Sequence, residues 1–231
     1  MKKLYPVLLS LCVLASCDQD STEPRMDYPV TFATKKIINT SAIRMYTSNG
    51  EVLNAARARA FASTYSTSYH LEDKETDLDT DQKFILRSES EAELSQRGNV
   101  TAFEIVEVDG MLQLTSTEEN TILENSGSEY LTELKAAISR YKPLQYDRQT
   151  LAPTTGYTYS YKTKDRFYAS VKGDELHFGR MIFTLKRPNS HGGFSLVTNG
   201  SSNFFEPSGV SRLHAGDTLV VQSFINIAIK E

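Results

Sequence analysis

Three carboxylates alternate along one short stretch of the chain, as Asp77, Asp79 and Asp81. Alternating carboxylates open calcium-binding loops, because hard oxygen ligands must converge on one ion. Such a loop also needs a glycine to turn the chain and a glutamate to close it, and Gln82 and Ser88 stand at those two positions. We interpret the stretch as a solvated acidic loop and predict no metal site.

Histidines are the next residues whose chemistry could define a site. Their four positions are far apart in the chain: His70, His177, His191 and His214. No two of them have the one-turn spacing by which paired histidines hold a metal on a helix. His191-Gly192-Gly193 has the composition of an oxyanion loop, but the chain lacks the Gly-x-Ser-x-Gly elbow of esterases. We predict a hairpin turn at these glycines, and no cofactor.

One serine has the spacing of a known acyl-enzyme motif. Ser139-Arg-Tyr-Lys142 matches Ser-x-x-Lys, the first element of that motif. The companion elements, Ser-Asp-Asn and Lys-Thr-Gly, are missing, and the match lies at the end of a predicted helix. The sequence therefore predicts no catalytic residue, and we do not expect an enzyme.

Three tyrosines alternate with polar residues in the second half of the chain. Tyr157, Tyr159 and Tyr161 would share one face of a strand, because side chains two residues apart point to the same side. On a cavity wall or an exposed edge, such rings offer flat apolar area with a hydroxyl at the rim, which suits sugar, lipid or protein partners. The alternative is ordinary packing within a sheet. These tyrosines are our candidate ligand-binding residues.

The first residues of the chain have the order typical of a secretory signal. Two lysines precede an apolar run at residues 4–15, which is too short to span a bilayer, since that takes about 20 apolar residues. Leu14-Ala15-Ser16-Cys17 follows and resembles the lipobox of bacterial lipoproteins. The resemblance implies cleavage before Cys17, a diacylglyceryl group on its sulfur and usually an acylated amino group. Two or more acyl chains anchor a protein stably to a membrane.

The lipobox divides the chain into three segments. Residues 1–16 are the predicted signal peptide, residues 17–28 a polar lipidated tether, and residues 29–231 a β-rich domain. Asp18-Gln19-Asp20 follows the cysteine. In some Gram-negative lipoproteins an acidic second residue resembles an inner-membrane retention signal, and in others early acidic residues accompany surface export. We expect a cell-envelope protein of the outer membrane, facing either way. An ordinary signal peptide that leaves Cys17 as a free thiol is the alternative.

Charge and cysteine content exclude several classes of function. The chain carries a net charge of −4, and nucleic acid or anionic lipid would need a basic face. Its two cysteines are Cys12 and Cys17. With the first cleaved off and the second lipidated, the domain has no thiol for disulfides, thiol catalysis or cysteine–zinc sites. The expected partners are a membrane, through the anchor, and a small amphipathic molecule or another envelope protein.

The rest of the chain has mainly β patterns. Residues 101–108 and 111–115 are rich in apolar and β-branched residues, and Asp109-Gly110 between them tolerates the positive φ angles of a tight hairpin turn. Similar patterns predict strands at 30–33, 41–46, 83–87, 157–162, 167–172 and 176–186, and an edge or closing strand at 218–230.

Two segments have helical patterns instead. Residues 51–63 are rich in alanine, the strongest helix former. A second helix begins at a capping box of Ser126 and Glu129 and stops at Pro143. Its apolar residues recur at helical intervals: Leu131, Leu134, Ile138 and Tyr141. Many short strands with about two helices predict a mainly β fold, a single antiparallel β-barrel or sandwich.

This architecture resembles the lipocalin-like barrels found among envelope lipoproteins. The resemblance implies a binding module that holds a small apolar or amphipathic molecule. The alternative is an interaction or assembly component that docks another envelope protein through an exposed sheet. A binder needs an internal cavity, whereas a docking protein needs an external apolar patch with a polar rim.

Overall fold

The structure, a computed structural model, describes the chain apart from residues 1–25, 67, 70–74, 79, 126–128, 143–147 and 154–155. The described part is mainly β, as predicted. Its strands are β1 (Val30–Asn39), β2 (Arg44–Thr47), β3 (Gly50–Glu51), β4 (Glu75–Asp77), β5 (Lys83–Leu86), β6 (Glu91–Gln96), β7 (Asn99–Val108), β8 (Met111–Ser116), β9 (Asn120–Glu124), β10 (Gln149–Thr150), β11 (Tyr159–Thr163), β12 (Arg166–Lys172), β13 (Glu175–Pro188), β14 (Phe194–Ser201) and β15 (Thr218–Lys230). Its helices are α1 (Ala55–Tyr65), α2 (Glu129–Ala137) and a 3-10 helix at Pro207–Arg212.

Eight antiparallel strands of the described chain close into a barrel. They follow the order β13-β12-β8-β7-β6-β5-β1-β15, and β15 pairs again with β13. The closing pair runs from Glu175 opposite Ile229 to Lys186 opposite Thr218. The segment predicted at 218–230 is therefore a closing strand, and the fold is a barrel rather than a sandwich.

Tight hairpins set the register of the barrel wall. Asp109 and Gly110 join β7 to β8 with φ angles of 52° and 72°, the positive values of a primed two-residue turn. Arg97 and Gly98 join β6 to β7 in the same way, with φ angles of 51° and 80°. The hairpin predicted at Asp109-Gly110 is confirmed.

The barrel interior is filled by apolar side chains. Each of the eight strands contributes at least one of the following: Val30, Phe32, Phe84, Leu86, Ala92, Phe103, Ile105, Leu114, Ala169, Leu176, Phe178 and Ala228. Phe84 stacks on Phe178 with ring centroids 4.1 Å apart, and Phe167 makes edge contacts with both rings. These rings occupy the space in which lipocalin-like barrels hold a ligand.

β13 and β15 extend beyond the end of the barrel, where they form part of an open sheet. In their extension β13 pairs with β14, and β15 pairs with β2, which pairs with β3. Successive residues of β13 face opposite sides of this sheet. Phe183 packs in a cluster with Leu134 of α2, whereas Ile182 packs in a cluster with Ala58 of α1. The two helices therefore cover opposite faces of the extension.

Helix α1 begins later than predicted. We predicted a start at residue 51, but Glu51 pairs with Tyr46 in β3 and its carboxylate binds the guanidinium of Arg44. The helix begins after Asn54, whose Oδ1 accepts a hydrogen bond from the backbone N of Arg57 at 2.9 Å. The alanines of the predicted helix all follow Asn54, and this asparagine cap satisfies a free N–H group of the first turn, so the helix starts there.

A second, three-stranded sheet lies beside α2. Its order is β10-β11-β9, and Tyr161 of β11 is opposite Ile122 of β9. The predicted strand at 157–162 corresponds to β11, which begins two residues later. Helix α2 ends at Ala137, earlier than the predicted stop at Pro143, because Ser139 forms a β-bridge with Phe205 and the backbone N of Arg140 donates to the carbonyl of Phe204. Ser126 and Pro143 lie outside the described residues, as do the predicted signal peptide and most of the predicted tether.

Candidate ligand-binding cavity

A cavity of about 500 Å³ lies outside the filled barrel interior. Four parts of the chain line it: strands β9 and β11 of the small sheet, helix α2, the segment that leads into β12, and residues 199–203 at the end of β14. The lining mixes apolar side chains, tyrosine rings and polar groups. Its volume lies within the range of small-molecule sites, about 300–1,000 Å³.

Glu124 ties the small sheet to α2 at one side of the cavity. Its Oε1 accepts hydrogen bonds from the hydroxyls of Thr132, at 2.9 Å, and Tyr161, at 3.0 Å. Its Oε2 lies 3.3 Å from a guanidinium nitrogen of Arg148. The carboxylate charge is therefore compensated within the protein, and the ring of Tyr161 is held in the cavity wall by its hydroxyl.

Lys135 projects from α2 into the same wall. Burial lowers the pKa of its amine below the ordinary value of 10.5, and no carboxylate opposes that effect. Among the described residues its Nζ has neither a hydrogen bond nor an ion pair. A buried amine without a partner is costly, because charged groups lose their hydration on burial. The protein thus keeps a half-buried cation without a protein partner at the cavity.

Two more cations line the cavity, Lys164 and Arg166. Neither forms an ion pair with a described residue; the Nε of Arg166 donates to the hydroxyl of Thr115 at 3.2 Å. The second carboxylate of the lining is Asp165, which is exposed and accepts a hydrogen bond from Asn120 at 3.1 Å. With Glu124 paired, the unpaired cations outnumber the unpaired carboxylates, and the cavity favours an anionic group.

Asn203 fixes the loop that forms another part of the lining. Its Nδ2 donates to the carbonyl of Tyr141 at 2.7 Å, and its Oδ1 accepts from the backbone N of Tyr141 at 3.2 Å. The same oxygen accepts from the backbone N of Phe204 at 2.8 Å. One buried amide therefore replaces a stretch of strand pairing and joins the loop after β14 to the segment after α2.

The tyrosines predicted to bind a ligand are separated in the structure. Tyr161 lines the cavity, with Ile122 and Glu124 of the neighbouring strand. Tyr159 is half-buried in the small sheet, and Tyr157, at 42 % exposure, precedes β11. Only Tyr161 of the three is therefore among the cavity residues.

The sequence analysis missed Lys135, Glu124 and Asn203. A signal for the lysine exists in α2, because Leu131, Lys135 and Ser139 follow one another at intervals of four residues and so share a helix face. The intervals between Leu131, Leu134 and Ile138 instead indicate the neighbouring apolar face of the helix. Glu124 and Asn203 reach the cavity through pairing of distant segments, for which the local sequence has no signal.

The Ser139 and Lys142 spacing has a structural role in this fold. The hydroxyl of Ser139, which lines the cavity, donates to the carbonyl of Lys135 at 2.7 Å. The amine of Lys142 lies 3.4 to 3.5 Å from the carbonyl oxygens of Ala136, Ala137 and Ser139. A lysine near the last carbonyls of a helix stabilises its C-terminus. The serine and the lysine thus bond to the helix backbone.

The histidines of the described chain lie at separate places. His191 belongs to the turn between β13 and β14, where Gly192 has a φ of 76° and Asn189 accepts from the backbone N of His191, so the predicted turn is confirmed. His177 lies 2.6 Å from Glu175. Among the described residues, no group of three or more histidine, cysteine, aspartate or glutamate side chains could hold a metal. His70 and Asp79 lie outside those residues.

His214 belongs to a polar cluster at the start of α2. Its ring stacks on Tyr130 with centroids 4.1 Å apart, and its Nδ1 lies 3.2 Å from a guanidinium nitrogen of Arg187. The hydroxyl of Tyr130 donates to Asp217 at 2.5 Å, and that carboxylate also accepts from the backbone N of His214 at 3.0 Å. This cluster joins the start of α2 to the start of β15.

Comparison of the chain with protein families, with curated proteins and with solved structures gave no match. In the part of the chain that the structure describes, no helix has the length and apolar character needed to cross a membrane.

Proposed function

We propose that this protein is a lipid-anchored lipoprotein of the bacterial cell envelope, in the outer membrane, that binds a small amphipathic molecule in the cavity beside α2. The membrane attachment rests on the resemblance of Leu14-Ala15-Ser16-Cys17 to a lipobox, with the acyl chains on Cys17. The role is binding rather than catalysis, with no cofactor or nucleic acid involved.

The observation that carries the binding role is the cavity of about 500 Å³ with Tyr161 and Lys135 in its lining. An aromatic ring offers a flat apolar surface, and an amine without a partner offers a strong polar contact. Because phenylalanine rings fill the barrel interior, the ligand takes the cavity outside it. This arrangement differs from that implied by the lipocalin resemblance, although the class of ligand is the same.

Native mass spectrometry tests the binding role. The full-length protein, released from membranes in a mild detergent, is incubated with an envelope extract and its mass is compared with that of untreated protein. An added mass of small-molecule size supports the proposal and identifies the ligand class. A protein without added mass, or one that gains mass only with a protein partner, contradicts it and favours the alternative role in envelope assembly.

Two tryptophan variants localise any bound molecule. Ala136 lines the cavity on α2, so Ala136→Trp fills the space and should abolish the added mass. Ala56 is an exposed residue of α1, and Ala56→Trp introduces the same ring away from the cavity and should leave the added mass unchanged. Equal binding by both variants would place the ligand elsewhere.

The anchor is tested by replacing either cysteine. Cys17→Ser should abolish labelling by radioactive palmitate and release the protein from the membrane fraction. Cys12→Ser alters the predicted signal peptide without touching the acylated sulfur, so it should still be labelled. Labelled Cys17→Ser protein would contradict the lipobox assignment.

A further inference from the structure

We infer that the ligand of the cavity carries an anionic group, such as a carboxylate, and that Lys135 binds it. This inference rests on the proposed binding function and adds the charge of the ligand to it. It starts from the position of the amine, which is in the cavity lining, half-buried on α2, and without a partner among the described residues.

The two carboxylates of the lining do not neutralise Lys135. Glu124 is committed to Thr132, Tyr161 and Arg148, with contacts of 2.9, 3.0 and 3.3 Å. The other, Asp165, is exposed to solvent and accepts a hydrogen bond from Asn120. Neither carboxylate forms an ion pair with Lys135. We therefore expect its charge to be balanced by a bound anion.

The other cations of the lining strengthen the preference for an anion. Lys164 has no ion pair with a described residue, and Arg166 uses its Nε for the hydroxyl of Thr115. A guanidinium has further N–H donors that suit a carboxylate. In a site partly closed to water, hydrogen bonds between such donors and an anion are stronger than neutral ones.

The remaining lining describes the body of the ligand. Ile122, Leu131, Ala136 and the rings of Phe167 and Tyr161 supply apolar contact. A compact anion such as inorganic phosphate would leave most of this surface empty, whereas a carboxylate on an aromatic or aliphatic body would use both parts. The structure thus assigns an amphipathic carboxylate to the cavity.

Three probes with one skeleton and different charges test the inference: 4-phenylbutanoate, 4-phenylbutan-1-ol and 4-phenylbutylamine. The full-length protein is reconstituted in lipid nanodiscs, and bound probe is measured by equilibrium dialysis, with empty nanodiscs as background. The anion should bind about tenfold more tightly than the alcohol, because a buried charge-assisted hydrogen bond contributes roughly that factor. The amine should bind most weakly.

Variants of the lysine assign the preference to one residue. Lys135→Met should remove most of the preference for the anion over the alcohol, with Lys164 and Arg166 accounting for the remainder, and Lys135→Arg, which keeps the charge, should retain the full preference. Lys162 is an exposed lysine of the adjacent strand that pairs with Glu119, so Lys162→Met should behave as the unaltered protein. A preference that survives undiminished in Lys135→Met overturns the inference. Circular dichroism of each variant verifies its fold.

The outcomes separate this inference from the proposed function. If the anion and the alcohol bind equally and Ala136→Trp abolishes both, the cavity binds ligands but the anionic assignment is wrong. If no probe binds, or Ala136→Trp binds all three as well as the unaltered protein does, the proposed binding function fails with it.

Discussion

The rings of Phe84 and Phe178 stack inside the barrel, with centroids 4.1 Å apart and planes inclined by 26°. The two residues come from strands on different parts of the wall, and Phe167 closes the group with edge contacts at 5.7 and 6.3 Å. The centre of the barrel is thus a packed core that stabilises the fold, while the space for a ligand lies outside.

Phe178→Ala tests this division of roles. Removing a ring that is 3 % exposed should lower the free energy of unfolding by about 3–5 kcal/mol, through lost burial and the cavity left behind. Urea denaturation measures the change. Phe194→Ala, at a ring that is 46 % exposed, should cost much less. A folded Phe178→Ala protein that loses its ligand would instead place the ligand within the barrel.

Local sequence predicted seven of the eight barrel strands, all except β6, but it did not predict the cavity. Asp109-Gly110 determines its hairpin because the φ angles that the turn needs are a property of those two residues. The bond from Tyr161 to Glu124 and that from Asn203 to Tyr141 join residues 37 and 62 positions apart, and such pairings depend on the assembled topology.

The structure also shows why the first helix was placed too early. Alanine-rich sequence favours a helix from residue 51, but the side chain of Glu51 is bound by Arg44 at 2.8 Å through its Nε. Pairing with β2 holds this residue in an extended conformation. Intrinsic helix propensity amounts to less than about 1 kcal/mol per residue, so tertiary contacts of this kind decide the boundary.

Lys135→Met should stabilise the protein without ligand. The substitution removes an amine that pays a desolvation penalty and keeps the unbranched shape, so the free energy of unfolding should rise by about 1 kcal/mol, or roughly 3 °C in Tm. Lys172→Met, at an exposed position of β12, should change Tm little. Thermal unfolding followed by circular dichroism measures both. A loss of stability in Lys135→Met would show that the amine has a favourable partner.

The lowered pKa of Lys135 predicts that the free energy of unfolding depends on pH. Its pKa is lowered in the folded protein relative to 10.5, so the unfolded chain binds more protons between the two values. Stability should therefore rise as pH increases through the folded pKa towards the ordinary value. Lys135→Met lacks this contribution, and its advantage over the unaltered protein should shrink at alkaline pH. An advantage that is constant with pH would contradict the assignment.

Asn203→Ala should destabilise the loop that lines the cavity. The substitution leaves the N–H and carbonyl of Tyr141 and the N–H of Phe204 without their partner. Unsatisfied buried polar groups cost about 1–3 kcal/mol, and urea denaturation should show a loss of this size. Asn199 lines the cavity nearby, and Asn199→Ala serves as the matched control with little expected loss. Equal effects would mean that the amide bridge contributes nothing specific.

Gly209→Ala should separate the 3-10 helix from α2. A Cβ at this position would lie 2.2 Å from the carbonyl oxygen of Ala137 and 2.6 Å from the backbone N of Ile138. Since backbone atoms cannot turn aside as a side chain does, we expect a loss of about 3 kcal/mol or more and weaker binding in the cavity. Gly200→Ala is the control, because its nearest neighbour would be the carbonyl oxygen of Met181 at 3.9 Å. A Gly209→Ala protein as stable as Gly200→Ala would contradict the close contact.

The hydroxyl of Tyr130 should make the stability of the protein fall at alkaline pH. Burial, helped by the carboxylate of Asp217, raises the pKa of its hydroxyl from 10.0 to about 12. Between these values the folded protein holds a proton that the unfolded chain has lost, so stability falls as pH rises. Tyr130→Phe lacks the hydroxyl that donates to Asp217 and should be less stable at about pH 8, because a buried carboxylate loses a partner. Its deficit should narrow by about pH 11, where the unaltered protein has lost part of this contribution. Urea denaturation of both proteins at the two pH values measures how the deficit changes. Because the other buried tyrosines are present in both proteins, the change reports the titration of Tyr130 alone. A deficit that stays the same would show that the hydroxyl titrates as it does in the unfolded chain.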